Sequence, residues 1–382
     1  MKFFHLSDLH IGLRLFNRDL SDDQRYILRR ICAAAAEEKP DAVVVAGDIY
    51  DRAVPSADAV QIFSGFVDEL CDAVPEAEIM MISGNHDSAV RLDLFRGILQ
   101  KQRIHMIGVP PQEPGEHIER VRLEDEYGPV NFFLLPFVKP SLVRRAVERD
   151  EDERLTYDEA LHRLIEREDI DTSERNVLVS HQFYLPAGRD PESVERTDSE
   201  ICTVGNIDLV SADILRRFDY GALGHIHRPM KLGSEAYRYC GTPLACSVSE
   251  AGQRKGIIMV ELGKKGDVKT EVLPLEPLHQ VRIIEGELED VLLQGCSDYV
   301  SVMLTDKRDL DVIDMQDRLR SVFPNLLEIR RKTDRRPEYR RISREDAELD
   351  PFSLCSLFLK DMDEDEKKLL QNVINKVQGA EK

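Results

Sequence analysis

Residues 41–88 read DAVVVAGDIYDRAVPSADAVQIFSGFVDELCDAVPEAEIMMISGNHDS, and their pattern decides the fold. A β-branched run halts at Gly47 and Asp48. Ser56 then stands as an N-cap before a segment whose apolar residues recur at helical spacing. A second apolar run, EIMMIS, halts at Gly84 and is followed without a spacer by Asn85, His86 and Asp87. Strand, helix and strand in this order require parallel strands, because a crossover helix returns the chain to the same sheet edge. In such sheets functional residues gather where strands end. Three polar side chains leaving one strand end can hold a metal, move a proton or cap the next helix.

The same alternation extends outward. KFFHLS (2–7) reads as a strand, and DDQRYILRRICAAAAEEK (22–39) as a helix with Ile27, Ile31 and Ala34 or Ala35 on one face. A helix around LDLFRGILQK (92–101) and a short strand in RIHMIG (103–108) follow. Further on, VNFFLLPF, RNVLVSHQ and DYGALGHIHRPM contain strands, DEALHRLIERED a helix, and GIIMVELGKKGDVKTEVLPL a β-hairpin with a Gly/Lys turn. The fold class is α/β. A first domain over 1–277 closes at PLEPL. Residues 278–340 alternate strand and helix as a small α/β domain, and 341–382 form a tail with helical spacing.

The 382 residues suffice for two domains and a tail. No apolar stretch approaches the ~20 residues needed to cross a bilayer, and MKFFHLSD turns polar too soon for a signal peptide. Seven scattered cysteines, none in C-x-x-C spacing, fit reduced thiols and a cytoplasmic protein without membrane contact. A net charge of −20 argues against general attraction to nucleic acid, so any such role rests on local charge.

Five motifs stand at predicted strand ends: SDLH (Asp8, His10), GDIYD (Asp48, Asp51), GNHDS (Asn85, His86), SHQ (His181) and GHIH (His225, His227). In D-x-H and H-x-H two donors point the same way from an extended chain and can grip one ion. Carboxylate, imidazole and amide oxygen suit manganese, iron or zinc. One catalytic zinc needs about three protein ligands. Asp8, His10, Asp48, Asn85, His181, His225 and His227 therefore imply two metals, with Asp48 as the natural anionic bridge. Paired metals of this kind serve attack at phosphorus, so the reaction class is phosphoester hydrolysis. Any one motif alone is usually structural; five in order are not. Asp87 and Ser88 read as helix caps, glycines 47, 84 and 224 as turns, His5 as a satisfied core group, and the histidines at 105, 117, 162 and 279 as surface or fold.

These motifs, in this order, resemble the calcineurin-like metallophosphoesterase superfamily over residues 1 to about 275. GDIYDRAVPSADAV with GNHDS resembles more narrowly its SbcD branch of nuclease subunits. The resemblance implies a β-sandwich flanked by helices, a small capping domain and a helical tail. It puts Asp8, His10, Asp48 and His227 around one ion and Asp48, Asn85, His181 and His225 around the other, with manganese the usual metal. His86 then faces the scissile phosphate, to protonate the leaving group or stabilise transition-state charge. Archaeal and eukaryotic relatives carry a second histidine where this chain has Asp51, which is left to orient His86 or to support a ligand.

Arg330, Arg331, Lys332, Arg335 and Arg336 begin a basic cluster in an acidic chain and are candidates for contact with a duplex backbone. In the tail, Phe352, Leu354, Leu357, Phe358, Leu370 and Val373 recur at helical spacing, as a segment docking on a partner helix would. The resemblance names that partner as an SbcC-type coiled-coil ATPase and makes the helices at 56–74 and 89–101 candidates for a homodimer face. No G-x-x-x-x-G-K-[ST] loop is present, so ATP would be handled by the partner. The leading expectation is a two-metal nuclease subunit acting on double-stranded DNA ends and hairpins. A small-molecule phosphodiesterase or phosphatase on the same site, or a noncatalytic DNA-end tethering subunit, are the competing readings.

Overall fold

The computed structural model of the chain describes residues 1–147, 154–186, 200, 208–306, 312–332, 351–358 and 362–379. It contains two compact units, Met1–Arg330 and Arg331–Lys382.

Two six-stranded sheets build the first unit. One runs in the order Val268–Pro274, Gly256–Leu262, Lys2–Leu6, Ala42–Ala46, Glu78–Ile82, Ile104–Ile107. The last four strands are mutually parallel, as the βαβ pattern demands. Gly256–Leu262 and Val268–Pro274 form the antiparallel hairpin expected from their turn. The other sheet runs Met230–Lys231, Tyr237–Tyr239, Tyr220–Gly224, Arg175–His181, Gly128–Leu135, Glu119–Asp125. Its Gly128–Leu135, Arg175–His181 and Tyr220–Gly224 strands are again parallel neighbours.

Strand periodicity explains how the sheets stack. Successive side chains point to opposite faces, so a strand covered on both sides reads as one apolar run. Phe3, Val44, Ala46, Met80 and Ile82 point inward to meet Phe132, Leu134, Val177, Val179, Tyr220 and Ala222 between the sheets. The alternate residues Phe4, Leu6, Val43, Val45, Ile79 and Met81 point outward against Ile27, Ile31, Ile62 and Phe66 of the helices Ser21–Glu38 and Ala57–Ala73. On the far side Phe133, Leu135 and Leu178 pack on Leu161, Leu164 and Ile165 of the helix Tyr157–Glu166. The result is an α/β sandwich with helices on both faces. Ser56 caps the helix Ala57–Ala73 by accepting from the Ala59 amide.

His5 points into the core between the sheets. Its Nε2 lies 3.2 Å from the Leu223 carbonyl and its Nδ1 3.0 Å from the Tyr220 hydroxyl. A carbonyl only accepts, so Nε2 carries the proton and Nδ1 accepts from tyrosine. Burial holds this imidazole down to about 3.

A three-stranded sheet, Val281–Gly286, Tyr299–Leu304 and Leu326–Arg331, has its own core of Ile284, Val291, Val302, Leu319 and Phe323. It is tied to the sandwich through Asp23 on the helix Ser21–Glu38. That buried carboxylate accepts from the Tyr299 hydroxyl at 2.9 Å and from the His279 amide at 3.1 Å. Arg330, Arg331 and Lys332 are exposed at the end of the last strand, whereas Arg335 and Arg336 lie outside the described residues.

The second unit carries the helices Pro351–Phe358 and Glu364–Gly379. Phe352 and Leu370 are half-buried and Val373 is exposed; the side chains of Leu354, Leu357 and Phe358 lie outside the described ones. Among the described residues no helix is long and apolar enough to cross a membrane.

Candidate metal centre

Because the strands Lys2–Leu6, Ala42–Ala46 and Glu78–Ile82 are parallel, their C-terminal ends share one rim. Asp8, Asp48 and Asn85 leave from it. His181 ends the strand Arg175–His181 in the opposite sheet, and His225 and His227 follow its parallel neighbour Tyr220–Gly224. The sandwich thus brings all seven expected ligands together from five strand ends.

The backbone at this rim is strained. Asp8, His10, Asp48 and His225 have φ of 53°, 44°, 50° and 98°, in the left-handed region that residues with a Cβ seldom occupy. Such strain persists only where the surroundings hold it, as at functional sites. Glycine is required for closeness as well as for turning. Gly47 has φ 87°, and a Cβ there would stand 2.3 Å from His181 Nδ1. Gly84 and Gly224 lack positive φ, but a Cβ would meet Asp48 Oδ1 at 2.1 Å from the first and the Ala46 carbonyl at 1.9 Å from the second. They admit the ligands rather than bend the chain.

Donor spacings define two groups. His10 Nε2 lies 3.1 Å from His227 Nε2 and 3.7 Å from Asp48 Oδ2, and a donor oxygen of Asp8 falls within 4.8 Å of both imidazoles. His181 Nε2 lies 3.2 Å from the same Asp48 Oδ2 and 3.0 Å from Asn85 Oδ1, which is 2.9 Å from His225 Nδ1. Asp48 Oδ2 therefore faces both groups. Donors about 2.0–2.2 Å from one ion stand roughly 3.0–3.6 Å apart along the edges of its coordination polyhedron. Most of these distances match that expectation.

Electrostatics point the same way. Asp8 and Asp48 are essentially fully buried, and among the described residues no lysine or arginine pairs with either. Buried carboxylates without a cation are costly. Burial raises the Asp8 carboxyl above its ordinary range despite His181. Burial also opposes ionisation of Asp48, yet His181 and His10 hold its carboxyl well below the usual range. Burial and the neighbouring His227 push His10 down to about 3, leaving it neutral as a ligand must be. At His181 burial is outweighed by Asp48 and Asp8, and the imidazole rises to about 9. The cluster attracts positive charge, and two divalent cations fit its donors.

His86 stands beside the first group rather than among the expected ligands: one of its ring nitrogens lies within 4.8 Å of donor atoms of His10 and Asp48, and its ring packs edge-on against that of His10 with centroids 4.8 Å apart. Its backbone amide donates to Asp48 Oδ1 at 2.8 Å, and its Nδ1 donates to the Asp51 carbonyl at 2.9 Å. Nε2 is the ring nitrogen that takes no part in that bond, and the residue is half-buried. Asp51 therefore orients His86 through its backbone. Its carboxylate lies 3.8 Å from His10 Nδ1 and 3.4 Å from Arg52 Nε.

Asp87 caps no helix. Its carboxylate accepts from the amides of Ile49, Tyr50 and Gly84 at 2.9–3.0 Å, pinning the GDIYD and GNHDS loops together. Burial raises that carboxyl to about 6. Gln24 does the same for SDLH, donating to the His10 carbonyl at 2.7 Å and accepting from Gly12 N at 2.9 Å. Sequence reasoning missed Gln24, and also Glu250 and Lys255 behind His227, because none stands in a ligand spacing. His105, His117, His162 and His279 each face a carboxylate elsewhere and take no part.

The profile of the calcineurin-like phosphoesterase family matches residues 1–229. That of the type 5 capsule protein repressor C-terminal domain matches residues 277–363. The SbcD chain of nuclease SbcCD from Staphylococcus epidermidis is 30% identical over 334 residues, spanning 86% of this chain and 84% of that one. Two solved structures are more distant. GAP50, the anchor in the inner membrane complex of Plasmodium, has a TM-score of 0.44 at 12% identity, over 86% of this chain and 96% of that one. A dimetal phosphatase from Danio rerio has a TM-score of 0.41 at 16% identity, over 72% of this chain and 98% of that one.

Proposed function

We propose, from the premise that this chain belongs to the calcineurin-like phosphoesterase family and to its SbcD branch, that it is the nuclease subunit of an SbcCD-type complex. It is a metal-dependent phosphodiesterase with a dimetal site. Its substrate in this reading is DNA, cut as a 3′–5′ exonuclease on double-stranded ends and as an endonuclease on hairpins and single strands. Repair, replication and recombination in the cytoplasm would use that activity. Residues 1–277 form the nuclease domain, 278–340 the capping domain and 341–382 the partner-binding tail.

The observation that carries the chemistry is that seven oxygen and nitrogen donors from five strand ends form two groups, each with an imidazole facing Asp48 Oδ2. Asp8, His10, Asp48 and His227 would hold one ion and Asp48, Asn85, His181 and His225 the other, with manganese the expected metal. When bound, the ions lower the pKa of water and neutralise charge on the phosphate. Asp48, whose Oδ2 faces His10 and His181, would be held in common by both groups, and its negative charge would offset the repulsion between two cations. Asn85 contributes a neutral oxygen, so the second group carries less negative charge than the first. His86, fixed through Nδ1, presents Nε2 to the leaving oxygen and in its protonated form donates to it.

An apolar face supports the homodimer. Val60, Val90, Leu94, Phe95 and Ile98 are exposed beside a groove of about 510 Å³ lined by Tyr50, Phe63, Val67 and Leu92. A second copy would cover both. The exposed Arg330, Arg331 and Lys332 favour a phosphate backbone. Exposed Leu369 and Val373 on the last helix favour docking to an SbcC-type ATPase.

The test is manganese-dependent cleavage of an end-labelled hairpin duplex with and without that ATPase. Cleavage that needs manganese and rises with ATP and partner is expected. Inactivity on DNA with the partner present, alongside turnover of a cyclic nucleotide, would overturn the reading.

A further inference from the structure

Behind His227 lies a buried cluster that the proposed ligand set does not include. His227 turns Nε2 toward His10 at 3.1 Å, and its other nitrogen, Nδ1, lies 3.5 Å from Glu250 Oε1. Glu250 is 1% exposed and sits in a fixed frame. Its Oε1 accepts from Cys246 N at 3.2 Å and Ser247 Oγ at 3.1 Å, and its Oε2 from Thr242 Oγ1 at 2.9 Å and Lys255 Nζ at 2.6 Å. Lys255 also donates to the His227 carbonyl at 3.1 Å, so one ammonium ties the carboxylate to the histidine's own backbone.

His227, Cys246 and Glu250 could in principle hold a third ion, since their donor atoms lie within 4.8 Å of one another. Lys255 argues against it. An ammonium 2.6 Å from Glu250 Oε2 already occupies the cation position, and a dication on the same carboxylate would face that charge at close range. The Cys246 thiol, moreover, donates to the Leu244 carbonyl. What remains is a carboxylate aimed at the far nitrogen of a ligand histidine. That arrangement fixes the tautomer, aims the ring and raises ligand basicity.

We propose that Glu250, held by Lys255, is the positioning residue for His227, keeping the proton on Nδ1 so that Nε2 is offered to the ion shared with Asp8, His10 and Asp48. The inference rests on the dimetal reading above and adds that the two ions are unequally supported. Among the described residues the second group is supported differently: His181 donates through Nδ1 to the Ala46 carbonyl at 2.7 Å, a neutral acceptor, and the carboxylate nearest the far nitrogen of His225, Asp208 Oδ2, stands 4.0 Å away, longer than the 3.5 Å from Glu250 to His227. Loss of Glu250 should therefore weaken one site and spare the other.

The experiment is calorimetric titration of the full-length metal-free protein with Mn²⁺, comparing wild type, Glu250→Gln and Glu250→Ala, with thermal melts of each. Glu250→Gln keeps the shape and an accepting oxygen but leaves the buried Lys255 ammonium without its counter-charge, and should weaken one of two sites by about 10-fold with a lowered melt; Glu250→Ala should weaken it by up to about 100-fold. The other site should stay within about 2-fold, and the Mn²⁺ activation constant should rise while kcat at saturating Mn²⁺ is kept. If Glu250→Ala does not fold, Glu250→Gln decides. Two wild-type sites in a folded Glu250→Gln, or equal weakening of both, would overturn the proposal. Uptake of fewer than two ions by the wild type would instead remove the dimetal premise.

Discussion

The rim of strand ends and the face around Phe95 are opposite exceptions to one rule. At the rim, Asp8, His10, Asp48 and His181 are polar and at most 2% exposed; on the face, Val90, Phe95 and Ile98 are apolar and at least 63% exposed. Polar groups inside and large apolar groups outside are the informative inversions in a soluble protein. Each is unfavourable for an isolated chain, and in the proposed reading each is relieved by a particular species: cations at the rim, the apolar surface of a second copy on the face. The physics differs, because charge in a low dielectric is strong and specific whereas apolar area is additive and less selective. Function at the rim should thus fail with single atoms, and association on the face with accumulated area.

Asp48→Ala should break the rim most completely. It removes the oxygen that faces both donor groups, and phosphodiester cleavage should fall by about 10⁴-fold, ~5 kcal/mol of transition-state stabilisation. Two Mn²⁺ sites of wild-type affinity in this variant would refute the bridging role. His86→Ala should lower kcat by about 10²–10³-fold while both ions still bind, as for a lost proton donor. Unchanged cleavage would sink that assignment.

On the other side of the comparison, Phe95→Asp should weaken self-association by about 30-fold or more, ~2 kcal/mol, read by sedimentation equilibrium. Phe95 has φ 63°, which aspartate tolerates better than most residues, so the local turn should survive. A wild-type chain that is monomeric at every concentration would remove the dimer from the proposal.

A pH effect concerns a buried polar group that needs no external species. His5 is held down to about 3, whereas the unfolded chain takes up that proton near its ordinary ~6.5. Between those values the unfolded state binds more protons, so stability is full above ~6.5 and falls as pH falls. Urea unfolding from about pH 6 to about pH 4 should show a steeper loss for wild type than for His5→Gln. Parallel profiles would mean that His5 is solvated or already charged in the fold.

Much of this was legible locally. The parallel core followed from residues 41–88, since a β-branched run, a capped helix and a second apolar run leave little alternative. The five motifs also named the side chains that the rim collects. Other parts could not be read because they depend on contacts distant along the chain. Glu250 and Lys255 follow GHIH by more than twenty residues and meet His227 only because the loop after Tyr237–Tyr239 folds back beneath it. Asp87 reads as a cap and works as a staple, because its acceptors face amides 37 and 38 positions away as well as its own loop. Asp51 reads as a carboxylate and orients His86 through its carbonyl, an atom common to every residue.

By itself, the sequence determined which elements form and which residue types reach the strand ends, because hydrophobic period and turn chemistry are local properties. Only the tertiary structure decided which nitrogen of each histidine faces the centre, that one oxygen of Asp48 faces both donor groups, and that glycines 84 and 224 serve close approach. Those outcomes depend on distances of a few ångströms between residues brought together from two different sheets, and chain order does not encode such distances directly.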